Sequence, residues 1–175
     1  MSSNVQNITK TAVFAALICV VAPFSVPIGA IPISLATLAV YLAAGTLGKK
    51  LGTLAVAVYI LIGAVGLPVF SGFGSGLPKL LGVTGGFIVG YIPLAFITGC
   101  FSGSNVLRPI GMVLGTIALY ALGTIWFMLT TNSGVVYSLT VCVLPFLLGD
   151  AAKIVIASAL SPALTAALSK LKPAA

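Results

Sequence analysis

One carboxylate and one ammonium group stand three residues apart in the apolar stretch VLPFLLGDAAKIVIA, residues 143–157. Asp150 is the only acidic residue of the chain, and Lys153 follows it. On a helix, this spacing places both side chains on nearly the same face. Ionisable groups in a membrane-spanning segment cost at least about 2.5 kcal/mol each, so they rarely persist without a partner or a task. The pair therefore forms either a structural ion pair or the polar part of a ligand site.

The other side chains exclude most catalytic chemistry. Histidine is absent and there is a single carboxylate, so acid–base pairs, zinc sites and Ser/His/Asp arrangements are nearly excluded. Cys19, Cys100 and Cys142 lie in apolar helices or at their ends without metal-like spacing, and we expect them to pack as small residues. The sequence predicts no enzyme, no catalytic residue, no metal and no cofactor.

Glycine-rich stretches do not build a phosphate site. GTLGKK, 45–50, lacks the earlier glycine and the following Ser or Thr of a phosphate-binding loop, so this chain is not expected to hydrolyse ATP unaided. SGFGSG, 71–76, neither follows a strand nor opens a helix and is expected to be a flexible outer loop. The net charge of +7 comes without a basic cluster longer than Lys49-Lys50, which argues against nucleic acid as a partner.

Composition indicates a membrane protein. Hydrophobic residues make up 60% of the chain and charged residues 5%, with a mean hydropathy of +1.28, whereas an ordinary soluble domain is about one quarter charged. We therefore predict an all-α integral membrane protein in contact with membrane lipid. The N-terminal stretch MSSNVQNITK has no small-residue cleavage site after it, so we expect the first apolar segment to be a retained helix rather than a signal peptide.

The positions of the charges divide the chain into spans. The uncharged runs are 11–48, 51–78, 80–107 and 109–149. About 20 residues cross a bilayer core, so the first run holds two helices, joined by a turn at PIGAIP, 27–32. We predict one six-helix membrane domain over 1–175, with helices at 9–25, 34–48, 51–66, 83–102, 108–129 and 142–170. The second and third are short and imply tilt, local thinning or a neighbouring subunit.

Six spans place both termini on one side, and the positive-inside bias makes that side cytoplasmic. Six of the eight basic residues then lie in the cytoplasm, namely Lys10, Lys49, Lys50, Arg108, Lys170 and Lys172. Lys79, in the outer loop 67–82, and Lys153 do not follow the bias. Their positions need another reason.

Small residues at four-residue spacing allow close helix approach. Ala12 and Ala16 form one such pair, and Gly111 and Gly115 form another, for which we expect internal packing.

Three motifs in order carry a family resemblance: GLPVF at 66–70, GVTGGFIVGY at 82–91 and LPFLLGDAAK at 144–153. With them, the chain resembles the BioY family from about residue 9 to 170. That family comprises the biotin-binding S components of energy-coupling-factor (ECF) transporters. The resemblance implies an ECF S-component-like bundle in the cytoplasmic membrane of a prokaryote that captures biotin from outside. Its partners would be a transmembrane coupling subunit and two ATP-binding-cassette ATPases, which fits the missing phosphate loop.

The chemistry of biotin and the resemblance together indicate candidate site residues. Biotin needs an apolar pocket, an acceptor and donor pair, and a cation; Asp150 offers the acceptor, while Lys153 and Lys79 offer cations. Ala12 and Ala16 match the family's Ala-x-x-x-Ala contact with the coupling subunit. The family usually has Gln where this chain has Ala36, so a polar contact is lost or supplied elsewhere. The candidate ligand-binding residues are Asp150, Lys153, Lys79, Gly85, Gly86, Phe70 and Tyr41.

Other functions remain open from the residues alone. The chain could be an S component for a related small carboxylate. A small channel or scaffolding subunit is also possible, with Asp150 and Lys153 neutralising each other between helices. A proton-coupled carrier is hard to build with one carboxylate and no histidine.

Overall fold

Helices make up most of the chain in this computed structural model, which describes residues 3–27 and 31–170. Two short strands, β1 (Ser25–Val26) and β2 (Ile33–Ser34), pair antiparallel on either side of the predicted turn; residues 28–30 of that turn lie outside the described residues. A 3-10 turn covers Ser71–Phe73. The α-helices are α1 (Ser3–Val21), α2 (Ala36–Val65), α3 (Gly76–Leu81), α4 (Gly85–Cys100), α5 (Leu107–Thr131), α6 (Val135–Cys142) and α7 (Leu144–Lys170).

Helix α2 consists of two spans that fold back on each other at Gly48. This glycine has φ 80° and ψ −179°, a conformation that few other residues adopt. The halves 36–47 and 49–65 then pack side by side, and a Cβ on Gly52 would lie only 2.6 Å from the Cα of Ala44. With α1, α4, α5 and α7, the two halves complete six membrane helices. The predicted all-α, six-helix fold is thereby confirmed.

Several boundaries differ from the sequence prediction. Helix α1 begins at Ser3 and ends at Val21, and the chain after it turns into β1. The predicted helix 142–170 is preceded by α6 and starts at Leu144, because Pro145 has no N–H to donate and suits a first helical turn. The outer segment 67–82 contains the 3-10 turn and α3, so it has more regular structure than the expected loop.

Glycines let α5 approach α4 closely, because their missing side chains leave room for the neighbouring helix. A Cβ on Gly111 would lie 2.7 Å from the Cβ of Phe101, and one on Gly115 would lie 2.9 Å from the carbonyl oxygen of Leu94. The pair therefore packs internally, as the sequence indicated.

The basic residues gather at one end of the bundle. Lys10 shares a groove with Leu168 near the end of α7. The N-terminal part of α1 therefore lies beside the C-terminal end of α7. The Lys49 backbone lies beside Gly99, and Arg108 donates from Nη2 to the Ser102 carbonyl oxygen. Lys172 lies outside the described residues. By the positive-inside rule we expect this basic end to face the cytoplasm, and α3, with Lys79, lies at the opposite end.

Candidate functional site

A buried ion pair on α7 forms the centre of the site. Lys153 Nζ lies 2.9 Å from Asp150 Oδ1. Asp150 is 3% exposed and Lys153 7%, so water solvates neither charge well. Within residues 3–27 and 31–170 this is the only salt bridge. The predicted alignment of the two side chains on one helix face is confirmed.

Groups from three other elements converge on this pair. Thr37, in α2, donates from Oγ1 to Asp150 Oδ1 over 3.1 Å and accepts from Lys153 Nζ over 2.9 Å. Tyr120, in α5, donates to Asp150 Oδ2 over 2.7 Å. Lys153 also donates to the Ser34 carbonyl oxygen in β2 over 2.7 Å. All three ammonium protons are thus used, and the carboxylate accepts three hydrogen bonds of the roughly four it can take.

The start of α2 is held in place by Ser34. Its hydroxyl donates to the Ala22 carbonyl oxygen over 2.7 Å and accepts from the Ala36 N–H over 2.9 Å. This satisfies one of the free N–H groups at the helix start and positions the Ser34 carbonyl and the Thr37 hydroxyl. Ala36, the position at which the resemblance implies a Gln, is itself buried. The nearest polar side chains along the chain are Ser34 and Thr37.

The ion pair closes one side of a small internal cavity of about 40 Å³. That volume is large enough for a few water molecules. Phe87 and Phe146 stack with their ring centroids 6.2 Å apart and form part of its wall. The lining is Ile31, Pro32, Ser34, Thr37, Ser71, Thr84, Phe87, Ile88, Tyr91, Leu119, Tyr120, Phe146, Asp150 and Lys153. An apolar, aromatic wall with a few convergent polar groups is typical of a small-molecule site.

Three other candidate residues are not part of the cavity lining. Tyr41 is fully buried and its hydroxyl bonds to Thr116 Oγ1 over 2.5 Å. Phe70 packs edge-to-face on Tyr59, with centroids 5.6 Å apart. Lys79 is half-buried on α3 with its stem close to Gly74. Ligand contact by these residues stays a prediction.

Gly85 and Gly86 serve close packing at the start of α4. A side chain on Gly85 would strike the Leu80 carbonyl, and one on Gly86 would strike Trp126 of α5. Neither glycine lines the cavity, but their neighbours Thr84 and Phe87 do. Contact of Gly85 and Gly86 with ligand also stays a prediction. Their close packing against Leu80 and Trp126 helps to position Thr84 and Phe87 at the cavity.

The sequence reasoning missed Thr37, Thr84, Tyr91 and Tyr120. Each is a polar side chain inside or beside an apolar run, and this feature could have indicated a candidate site residue. Such residues are common in membrane helices, however, and only the packing of α2, α4 and α5 shows which of them face Asp150.

Ala12 and Ala16 are both exposed on α1. The helix buries its other face through Phe14, Ala15 and Ile18. The alanine pair is therefore accessible to another membrane helix, and its contact with a coupling subunit stays a prediction.

Comparison with known proteins identifies the family. The BioY family profile matches residues 1–170. This chain belongs to the BioY family. The biotin transporter BioY of Thermotoga maritima is 38% identical over 148 residues, which cover 85% of this chain and 79% of the relative. The probable biotin transporter BioY of Pyrococcus horikoshii is 36% identical over 148 residues, covering 85% and 89%.

A solved structure agrees with the fold. The crystal structure of the S-component for biotin from an ECF-type ABC transporter superposes with a TM-score of 0.86 at 29% sequence identity, covering 94% of each chain. The resemblance drawn from the motifs is thereby confirmed, and this BioY-family chain is a multi-pass membrane protein with the S-component fold.

Proposed function

We propose that this BioY-family protein is the biotin-binding S component of an ECF-type transporter in a prokaryotic cytoplasmic membrane. It mediates biotin uptake and has no enzymatic activity of its own. The observation that carries the proposal is the buried Asp150–Lys153 pair at the edge of an aromatic-walled cavity. Relatives named as biotin transporters and the solved S-component for biotin support the choice of ligand.

The two charged groups suit the ureido ring of biotin. That ring presents N–H donors and a carbonyl acceptor next to each other. Asp150 Oδ1 and Lys153 Nζ present an acceptor and a donor 2.9 Å apart. The ureido ring of the ligand therefore contacts both residues, and the thiophane ring packs against Phe87 and Phe146. The valerate carboxylate then points towards Ser71, in the outer segment that also carries Lys79.

Biotin binding requires rearrangement of the hydrogen bonds at the site. Every ammonium proton of Lys153 is already used, so the ureido carbonyl must replace one present acceptor. Asp150 already accepts three hydrogen bonds and can take about one more. If both ureido N–H groups bind it, one of its three present donors must be displaced.

Transport requires partners of this chain. A transmembrane coupling subunit contacts the exposed Ala12/Ala16 face of α1, where small side chains permit close helix approach. Two ABC-type ATPases supply the energy, since this sequence has no phosphate-binding loop.

Binding of two ligands by matched variants tests the site. Purified Asp150→Asn and Lys153→Met proteins are titrated with biotin and with biotin methyl ester, whose carboxylate is masked. Charge-assisted contacts contribute about 1.5–3 kcal/mol, so each variant should bind both ligands about ten- to a hundredfold more weakly. Lys49→Gln, which removes a charge at the opposite end, is the control and should bind normally.

Each other outcome has a definite meaning. If Lys153→Met weakens only free biotin, Lys153 holds the carboxylate and the ureido assignment is wrong. If neither variant loses affinity, the pair is structural. Absence of saturable biotin binding by the unmodified protein would reject the proposed ligand.

A further inference from the structure

The buried hydroxyl-bearing residues of the cavity lining fall into two sets. The hydroxyls of Ser34, Thr37 and Tyr120 are hydrogen-bonded to acceptors of the protein. Thr84 and Tyr91 are only 7% and 8% exposed, and their hydroxyls make no hydrogen bond with any residue that the structure describes. Both residues line the cavity, and neither hydroxyl oxygen is closed off by neighbouring atoms. Since buried polar groups normally have a partner, these two are available to a bound ligand.

Thr84 lies at the start of α4 without capping it. It is the N-cap residue, but its backbone is helical, with φ −92° and ψ −5°, and its side chain makes no capping bond. A capping side chain normally accepts from an N–H two or three residues later. Gly85 donates to the Gly82 carbonyl oxygen and Phe87 to that of Thr84, whereas the Gly86 N–H has no acceptor among the described residues. A hydroxyl and a backbone N–H are therefore both free at the start of this 16-residue helix.

The start of α4 favours an anion. Aligned peptide dipoles give a helix N-terminus a partial positive charge, and its free N–H groups suit a carboxylate or phosphate. Lys79, in the last turn of the preceding α3, adds positive charge. Asp150 is the only acidic side chain of the protein and already pairs with Lys153. The carboxylate is the group of biotin that fits this environment.

The start of α4 and the ion pair lie at different depths in the bundle. Trp126 of α5 lies beside Gly86, which is two residues after Thr84. Tyr120, which donates to Asp150, lies six residues before Trp126 on α5, about 9 Å deeper at ~1.5 Å per residue. The stacked phenylalanine rings belong to the same cavity lining. A ligand with a polar group at each end of an apolar body fits this arrangement.

We propose that the start of α4 is the carboxylate subsite of the biotin site. Thr84 Oγ1 and the Gly86 N–H donate to the carboxylate oxygens of the valerate chain. The inference rests on the proposed function and extends it, because it assigns the end of the ligand that Asp150 and Lys153 do not bind. Thr84 is then the residue that distinguishes biotin from analogues without a charged carboxylate.

Titration of purified full-length variants with two ligands tests the subsite. The ligands are biotin and its primary amide, which is neutral and nearly the same size. Hydrogen bonds to charged groups contribute more than neutral ones, so Thr84→Val should weaken biotin binding about thirtyfold and amide binding only about threefold. Thr84→Ser keeps the hydroxyl and should retain the preference for biotin. Thr124→Val is the matched control, since the Thr124 hydroxyl is also unbonded but lies outside the cavity lining.

Three results would overturn the subsite alone. Equal losses for the two ligands in Thr84→Val, or no loss, would mean that Thr84 does not bind the carboxylate. Loss of the preference for biotin in Lys79→Gln but not in Thr84→Val would assign the carboxylate to Lys79. Loss of that preference only in Tyr91→Phe would place the carboxylate at the deeper end of the cavity. Absence of biotin binding by the unmodified protein would instead reject the proposed function, and the subsite with it.

Discussion

Lys153 Nζ donates to the backbone carbonyl oxygen of Ser34 over 2.7 Å, which joins α7 to the outer strand β2. The same ammonium group pairs with Asp150. A single side chain therefore connects the charged centre of the site with the hairpin at the rim of the cavity. We expect a ligand that accepts a hydrogen bond from Lys153 to compete with Ser34, Thr37 or Asp150. Where it replaces Ser34, ligand binding would change the position of the hairpin.

Removing one charge should damage the protein more than removing both. Asp150→Leu leaves the Lys153 ammonium without a counter-charge, and breaking a buried pair in this way costs about 3–5 kcal/mol. The double replacement Asp150→Leu with Lys153→Leu leaves no unpaired charge and should restore most of the melting temperature in detergent. It should nevertheless fail to bind biotin. Tight binding by the double variant would mean that the pair is structural only.

Tyr120 should contribute to ligand affinity through Asp150. Tyr120→Phe removes the donor to Oδ2 and leaves the carboxylate less firmly oriented, so we expect biotin affinity to fall about tenfold, as for loss of a charge-assisted bond. Tyr41→Phe is the comparison, because that hydroxyl bonds to Thr116 instead. Equal losses in calorimetry would support the resemblance-based assignment of Tyr41 to the ligand, and no loss in Tyr120→Phe would refute the orienting role.

The outer segment 67–82 should respond to biotin. Phe73, at φ 57°, packs edge-to-face on Phe24 beside the hairpin, with ring centroids 5.9 Å apart. We expect a cysteine at Ser75, with the three native cysteines replaced by alanine, to be labelled more slowly at saturating biotin as the segment closes over the ligand. A cysteine at Ser104, at the basic end, should be unaffected. An unchanged rate at Ser75 would remove the gate role of this segment and of Lys79.

Assembly with the coupling subunit should depend on small side chains on α1. Ala16→Leu fills the space needed for close helix approach, so we expect unchanged biotin binding by the purified protein and loss of uptake in cells that contain the whole complex. Ala163→Leu on α7 is the matched control, since Ala163 is exposed on a different helix. Full uptake with Ala16→Leu would show that this face is not the interface.

The turn between the halves of α2 should be sensitive to added volume. A methyl group on Gly52 would lie 2.6 Å from the Ala44 Cα, which is backbone and moves only with its helix. Gly52→Ala should destabilise the protein by about 1–3 kcal/mol, the usual cost of overpacking. Gly103→Ala, where nothing lies within 4 Å, should leave the melting temperature unchanged. Equal stability of both variants would contradict the close packing.

Much of the architecture is encoded locally in the sequence. A bilayer requires each backbone polar group to be satisfied within its segment, so apolar runs between charges predict helices. The three-residue spacing of Asp150 and Lys153 is a property of one helix and was readable for the same reason. Pro145 also marked the first turn of α7 correctly.

The long-range packing could not be predicted from the sequence. Thr37 and Tyr120 reach Asp150 from positions 113 and 30 residues away, and no local period links them. The reversal at Gly48 takes a single residue, whereas the sequence suggested a longer connection between 48 and 51. The pairing of β1 with β2 and the separation of α6 from α7 likewise depend on neighbours in space.

The reversal at Gly48 also has a consequence for biogenesis. Its two arms, 36–47 and 49–65, are short for full membrane spans and are joined at a single residue. Lys49 and Lys50 at the tip hold the bend at the cytoplasmic surface. The second and third spans should therefore leave the translocon together as a preformed helical hairpin, with the bend never crossing the membrane.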